Sequence, residues 1–292
     1  MELQYLPISL DHRFPIQVDA DFEQRDRPIR HLHYHDCAEL GLCAEGTGVF
    51  MVGAKLLPFR AGDAVLIDRS EPHLAQSAPG TTSRWSWIYL DPVRLLQPAG
   101  DALKTSTANL AGPGFDNVLT PGSFPEAGWI LNRIIEEARE RKPDFEGVIR
   151  SLTLQFLLLA HRYGSPGHGK ESAAARPLAG RPHYDRLAPA LQRLAADFAE
   201  PLSTAELARL CHLSEPHFRR LFHDALGRSP REYGFDLRMR MAASLLAGTS
   251  DSVLEVSQRV GFDTLSSFNR IFRKTYGVSP REWRRPRKVM TK

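Results

Sequence analysis

The stretch "HLHYHDCAE" places His31, His33, His35, Cys37 and Glu39 at every second position. Side chains two apart on an extended strand point to the same face. An unbroken strand here therefore presents five groups able to ligate a metal or to exchange hydrogen bonds with a small molecule. A further histidine, His73, follows a strand-like segment and a turn in "AGDAVLIDRSEPHLAQ". Trp85 and Trp87 also share one face; such a pair can stack on a sugar ring, or equally fill a core or a dimer contact.

A second set of reactive side chains repeats. "FRRLFHDALGRSPREY" (218–233) and "FNRIFRKTYGVSPREW" (268–283) agree at eight of sixteen positions: Phe218/Phe268, Arg220/Arg270, Phe222/Phe272, Gly227/Gly277, Ser229/Ser279, Pro230/Pro280, Arg231/Arg281 and Glu232/Glu282. Two copies are too few for a solenoid. Each copy reads as a short helix, a tight turn and a second helix stopped by glycine, which is the layout of a helix-turn-helix unit. Phe218, Leu221 and Phe222 fall on one face of the first copy's second helix, with Phe268, Ile271 and Phe272 in the other. The opposite faces carry Glu215, Arg219, Arg220 and His223, and Ser266, Ser267, Asn269, Arg270 and Arg273. Arginine and asparagine match base edges in the major groove. The intervening "EYGFDLRMRMAASLLAG" predicts one helix able to hold two recognition helices roughly 34 Å apart, one DNA turn.

The elements that must position these residues divide into two unlike halves. Before about residue 120, short segments such as "ELGLCA", "GVFMVG", "DAVLID" and "RWSWIYL" alternate with Gly, Pro and Asp turns, predicting a small antiparallel barrel or sandwich. Between 124 and 163, apolar residues recur at three-to-four spacing on either side of "KPD": Trp129, Leu131, Ile134, Ile135 and Ala138, then Phe145, Val148, Ile149, Leu152, Phe156 and Leu159. That spacing predicts a helical hairpin whose apolar stripes pack on the barrel or on a second subunit. "YGSPGHGKESAAARPLAGRP" has linker composition, and everything after it reads as helix.

The chain has 292 residues and a formal charge of +4, unevenly distributed. Residues 183–292 hold 19 Lys and Arg against 12 Asp and Glu, whereas 1–182 hold 19 against 22. The basic charge travels with the repeat and points to a polyanionic partner. Cys37, Cys43 and Cys211 show neither disulfide-framework nor zinc-finger spacing. The longest apolar run, "LTLQFLLLA", falls far short of the roughly 20 residues that span a bilayer, and the N-terminus shows no basic-then-apolar leader. No membrane association and a cytoplasmic location are the expectation.

The last hundred residues resemble the DNA-binding domain of AraC/XylS-type transcription regulators, "LARLCHLSEPHFRRLF" matching the first unit and "VSQRVGFDTLSSFNRIFRKTYGVSPREWR" the second. The resemblance implies base- and phosphate-contacting roles for Pro216, Arg219 and Arg220, and for Leu265, Ser266, Ser267, Asn269 and Arg270; apolar Leu265 suits a thymine methyl. His33-x-His35-x3-Glu39-x6-Gly46, then Gly62 and His73, resembles the two motifs of cupin barrels, departing from them at Arg27, at "DRS" and at Ser77. The sensor domains of AraC-type proteins are similar to cupins as well. That resemblance implies a divalent metal (Zn, Fe, Mn or Ni) on His33, His35, Glu39 and His73, or direct hydrogen bonding of a small molecule by the same residues. A purely structural role for these histidines is the third alternative.

The expectation is thus an α+β protein of two domains. Residues 1–163 form a cupin-like β-barrel with a helical hairpin, for ligand sensing and dimerisation; 164–182 are a flexible linker; 183–292 form an all-α domain with two helix-turn-helix units. The expected function is a ligand-responsive, sequence-specific DNA-binding regulator of a catabolic operon, sugar-related by resemblance, and not an enzyme. Its expected partners are double-stranded operator DNA, a small-molecule effector bound by His33, His35, Glu39, His73, Trp85 and Trp87, a second copy of the chain, and RNA polymerase. The alternative is a metal-dependent cupin enzyme with incidental DNA binding.

Overall fold

A computed structural model describes residues 2–27, 31–53, 55–69, 71–97, 110–111, 115–164 and 182–284, in two compact units divided between Tyr184 and Asp185. Apart from its first and last residues, the linker expected over 164–182 lies outside the described residues.

The first unit holds the strands β1 (Glu2–Tyr5), β2 (Ile16–Arg25), β3 (His31–Tyr34), β4 (Ala38–Glu45), β5 (Thr47–Val52), β6 (Lys55–Arg60), β7 (Ala64–Ile67), β8 (His73–Ser77), β9 (Thr82–Leu90) and β10 (Val118–Leu119). They make two five-stranded sheets, ordered β1-β3-β8-β5-β6 and β10-β7-β4-β9-β2. All strand pairs are antiparallel except β1 with β3 among the described residues.

Strand alternation explains the layering. Val65, Ile67, Cys43, Trp85 and Trp87 of the second sheet turn toward Phe50, Phe59 and Ala75 of the first and build a core between the sheets. The intervening residues Leu40, Leu42, Ala64, Leu66, Ile88 and Leu90 turn the other way and meet two helices. A sheet covered on both faces needs apolar residues at successive positions, which is why the first six residues of β4 are all buried. Each fully buried aromatic such as Phe50 or Phe59 contributes roughly 1.5–3 kcal/mol.

After the short α1 (Pro92–Leu95), the covering helices are α2 (Ala127–Glu140) and α3 (Phe145–Gly164). Ile130, Leu131, Ile134, Ile149, Leu152 and Phe156 are buried on the sheet. The apolar stripes of this hairpin are therefore spent largely inside the unit. Trp129 does not belong to the buried stripe: it is 60% exposed, because the arc that meets the sheet centres on Ile130, Leu131 and Ile134 and the neighbouring position is rotated off it by about 100°.

The second unit is helical: α4 (Pro182–Ala196), α5 (Thr204–Leu210), α6 (Glu215–Leu226), α7 (Pro230–Gly248), α8 (Val253–Arg259), α9 (Leu265–Tyr276) and α10 (Pro280–Arg284). Its core takes Leu187, Leu191 and Phe198 from the α4 segment, Phe218 and Phe222 from α6, Met239, Met241 and Leu246 from α7, and Phe268 and Phe272 from α9.

The two repeats are built alike at their boundaries. Gly227 and Gly277 end α6 and α9 with φ of +71° and +77°, a conformation glycine adopts without steric cost. Glu232 accepts from the Ser229 backbone N–H while Ser229 Oγ accepts from the Glu232 N–H, and Glu282 with Ser279 does the same. These are capping boxes at the starts of α7 and α10. The turns inside the units also match: Leu213 N donates to Ala208 O at 3.0 Å, and Phe262 N to Ser257 O at 2.9 Å. Residue 263 is the one-residue excess of the second turn. The left-handed position is His212 in the first turn (φ +53°) and Gly261 in the second (φ +76°).

Candidate functional site

In the first unit, His33 on β3 stands in register with His73 on β8. After Tyr34 the chain leaves that sheet, crosses through His35–Cys37 and enters β4 of the other sheet, where Glu39 is the second residue. The alternation expected from His31 to Glu39 on one strand is broken by this crossing. His31 is exposed near one end of β3 and Cys37 is buried in the crossover, so neither joins the cluster. His33, His35, Glu39 and His73 do come together: one donor atom from each lies within 4.8 Å of every other. His35, Glu39 and His73 are buried and His33 is half-buried.

Hydrogen bonding fixes the tautomers. His35 Nδ1 is 2.7 Å from Leu6 O, and His73 Nδ1 is 2.7 Å from Glu71 O. A carbonyl oxygen only accepts, so both Nδ1 atoms carry protons and both Nε2 atoms turn inward. His73 Nε2 lies 2.8 Å from Glu39 Oε2. His35 Nε2 stands 3.2 Å from the same oxygen but out of hydrogen-bond alignment, and is a buried ring nitrogen without a hydrogen-bond partner.

Burial alone pushes the Glu39 carboxyl up, but the attraction of His73 and the two imidazoles beside it outweigh burial and hold it at about 2. Burial, followed by His73, pushes His33 down to about 3, so its ring is neutral near pH 7. Burial also disfavours the charged form of His35, yet Glu39 and the Leu6 carbonyl raise it overall. Neutral rings turn two imidazole lone pairs toward one carboxylate oxygen, an arrangement relieved either by a proton on a ring, which then donates to Glu39, or by a cation among them. A buried, ionised Glu with inward-facing Nε2 atoms, each ring oriented by a main-chain carbonyl, is the donor chemistry of a divalent metal site.

Trp85 and Trp87 stack with ring centroids 4.9 Å apart and planes 7° from parallel. Trp85 is fully buried, edge-on to Phe59 and Phe50, with its Nε1 donating to Ser83 Oγ. Neither indole enters the four-donor cluster. Both sit in the barrel core, where their aromatic bulk fills space between the sheets. Phe50 links core and cluster, lying parallel to His73 at 6.1 Å.

In the second unit, Pro216, Arg219 and Arg220 are exposed at the start and middle of α6. Leu265, Ser266, Asn269 and Arg270 are exposed on α9; Ser267 is half-buried, with its backbone N–H donating to the capping Thr264 Oγ1. Arg219 pairs with Glu215 at 2.5 Å. Among the described residues, Arg220 and Arg270 have no carboxylate partner.

Sequence reasoning missed the Leu6 and Glu71 carbonyls that orient the two histidines. They are main-chain atoms, and no side-chain spacing announces them. Leu6 follows β1, whose parallel pairing with β3 brings it there.

Comparison with known proteins follows the same division. Residues 19–142 match the family described as the AraC-like ligand binding domain, and residues 207–286 match the family described as the helix-turn-helix domain. The HTH-type transcriptional regulator ArgR of Pseudomonas aeruginosa is 32% identical over 105 residues, which are 36% of this chain and 32% of the relative. The HTH-type transcriptional activator RhaS of an Enterobacter species is 24% identical over 295 residues, 96% of this chain and 93% of the relative. A solved transcriptional regulator of the AraC-type DNA-binding class from Chromobacterium violaceum shares 32% identity, covers 37% of this chain and 96% of its own, and has a TM-score of 0.34. No helix among the described residues is long and apolar enough to cross a membrane.

Proposed function

The chain belongs to the AraC-type transcription regulators, an AraC-like ligand binding domain preceding a helix-turn-helix DNA-binding domain, and we propose that it senses its effector at a divalent metal held by His33, His35, Glu39 and His73. The observation that carries this reading is the buried His35 Nε2, which lacks a hydrogen-bond partner and faces the oxygen of Glu39 that His73 already occupies. Zinc, iron, manganese and nickel all accept imidazole and carboxylate donors, and a bound ion supplies a Lewis-acidic anchor for an oxygen atom of the effector. Glu39 contributes the negative charge. The Leu6 and Glu71 carbonyls hold the rings of His35 and His73 in place, and His33 is the member nearest solvent.

A binding role rather than turnover is proposed, because the relatives are named as regulators. The wider reading is a cytoplasmic homodimer that joins through α2 and α3, contacts RNA polymerase and controls a catabolic operon, with sugars and sugar derivatives the first effectors to try. Trp129, Val148 and Leu158 support the dimer, since they remain exposed on those two helices.

Elemental analysis of untagged protein purified without chelator tests the metal. About one ion per chain is expected, with affinity falling as pH drops through the histidine range near 6.5. Glu39→Gln and His73→Ala should abolish it. A metal-free wild type that still gives an effector response would replace the metal with direct hydrogen bonding by the same side chains.

A further inference from the structure

The eight identities of the repeat can be sorted by what each side chain does. Phe218/Phe268 and Phe222/Phe272 are buried; Gly227/Gly277 are left-handed caps; Ser229/Ser279 with Glu232/Glu282 make the capping boxes; Pro230 and Pro280 are buried first-turn residues. Six of the eight are therefore accounted for by folding. The two left over are arginines: Arg220/Arg270 on the recognition helices, and Arg231/Arg281 at the second position of the helices that follow. All four are exposed, and among the described residues none has a carboxylate partner.

Where the copies differ, they differ in charge. At matching positions α6 has Glu215, His223 and Asp224 where α9 has Leu265, Arg273 and Lys274. With histidine neutral, α6 carries two arginines against two acids, and α9 carries three cations and no acid. One α6 arginine is further tied to Glu215. In the second unit Arg270, Arg273, Lys274 and Arg281 line a single open groove of about 830 Å³ together with Asn269 and Ser279, and no acidic residue lines it. Four uncompensated cations along one groove repel one another, and a polyanion relieves that repulsion.

We propose that the second helix-turn-helix unit is the electrostatic anchor of the DNA complex, with Arg273, Lys274 and Arg281 holding backbone phosphates beside α9. The first unit, neutral along its recognition helix, holds the backbone less strongly, with Arg231 standing where Arg281 does. This rests on the chain binding duplex DNA through both units. Counterion release follows the number of phosphates held, so the anchor has a measurable signature separate from base reading.

The test is the salt dependence of binding by the full chain. Two duplexes of roughly 30 base pairs, long enough for two adjacent turns, are compared: one enriched from random DNA by the protein, the other of scrambled sequence. Removing both charges in Arg273→Ala/Lys274→Ala should lower the slope of log K against log salt by about 2, and Arg281→Ala by about 1, on both duplexes alike. Asp224→Lys, which puts a lysine at the position that Lys274 holds in α9, should steepen the slope by about 1; this gain cannot arise from misfolding. An unchanged slope in the double variant overturns the anchor, as does a loss confined to the enriched duplex, which would mark base contacts instead. If the wild type binds neither duplex at low salt, the DNA-binding reading itself fails and the anchor falls with it.

Discussion

Asp63 shows how one buried acid sets a pH dependence for the first unit. It is 2% exposed; its Oδ2 accepts from the Arg60 backbone N–H at 2.9 Å, while its Oδ1 has no hydrogen-bond partner. Burial pushes the carboxyl up to about 7, against the pull of Arg60. A folded-state value above the unfolded one means that folding favours the protonated acid. The stability this group allows is therefore complete below the unfolded value and is lost as pH rises toward 7. Asp63→Asn keeps an acceptor for Arg60 and removes the ionisation. Its melting temperature should exceed that of the wild type at pH 8, with the gap closing toward pH 5; a constant gap across that range would refute the assignment. At the same scale, the donors themselves were legible in the sequence because histidine and glutamate announce ligand chemistry wherever they cluster. What bound their second nitrogens was not, because carbonyl groups occur at every residue.

The helices and turns carry a different lesson. Glycine-terminated helices and the twin layout were readable, since caps and apolar spacing are local properties of the chain. The break between β3 and β4 was not, because "HLHYHDCAELGLCAEG" alternates smoothly through the point where the chain changes sheets, and only the competition between sheets decides where it turns. The hairpin of α2 and α3 was found, but its buried arc was misplaced by one position at Trp129, a residue whose type favours burial while its phase does not. This has a direct experimental consequence. Leu131 is fully buried against the sheet, so Leu131→Asp should unfold the first unit rather than split a dimer. Trp129→Ser and Leu158→Asp, at exposed positions, should instead weaken self-association in sedimentation while leaving the melting temperature within a degree or two, as surface substitutions do. In the second unit the tightest element is the α8–α9 turn. A Cβ on Gly261 would lie 1.8 Å from the Ala199 carbonyl oxygen at a φ of +76°. Gly261→Ala should therefore destabilise by more than the roughly 1 kcal/mol that a left-handed alanine alone costs, visible as a lowered denaturant midpoint. The matching His212→Gly relieves a left-handed side chain and should be neutral or mildly stabilising.

At the scale of the whole molecule, two compact units imply two separable responses. A ligand that binds only the folded form stabilises the unit that holds it. Chelator should therefore lower one thermal transition, that of the first unit, and duplex DNA should raise the other. If effector and DNA influence each other, the coupling must be equal in both directions, so the factor by which effector changes DNA affinity should equal the factor by which DNA changes effector affinity. Calorimetry of the full chain checks both statements; a single transition moved equally by chelator and by DNA would contradict the first. The stacked indoles of Trp85 and Trp87 offer a view of this from inside. Two such rings, nearly parallel and 4.9 Å apart, share their electronic excitation, and no other pair of tryptophans stacks among the described residues. Their exciton signal in circular dichroism thus belongs to the barrel alone. Phe50 packs against both indoles and against His73, so the protein carries its own chromophore beside the donor cluster, readable in the intact chain without a label.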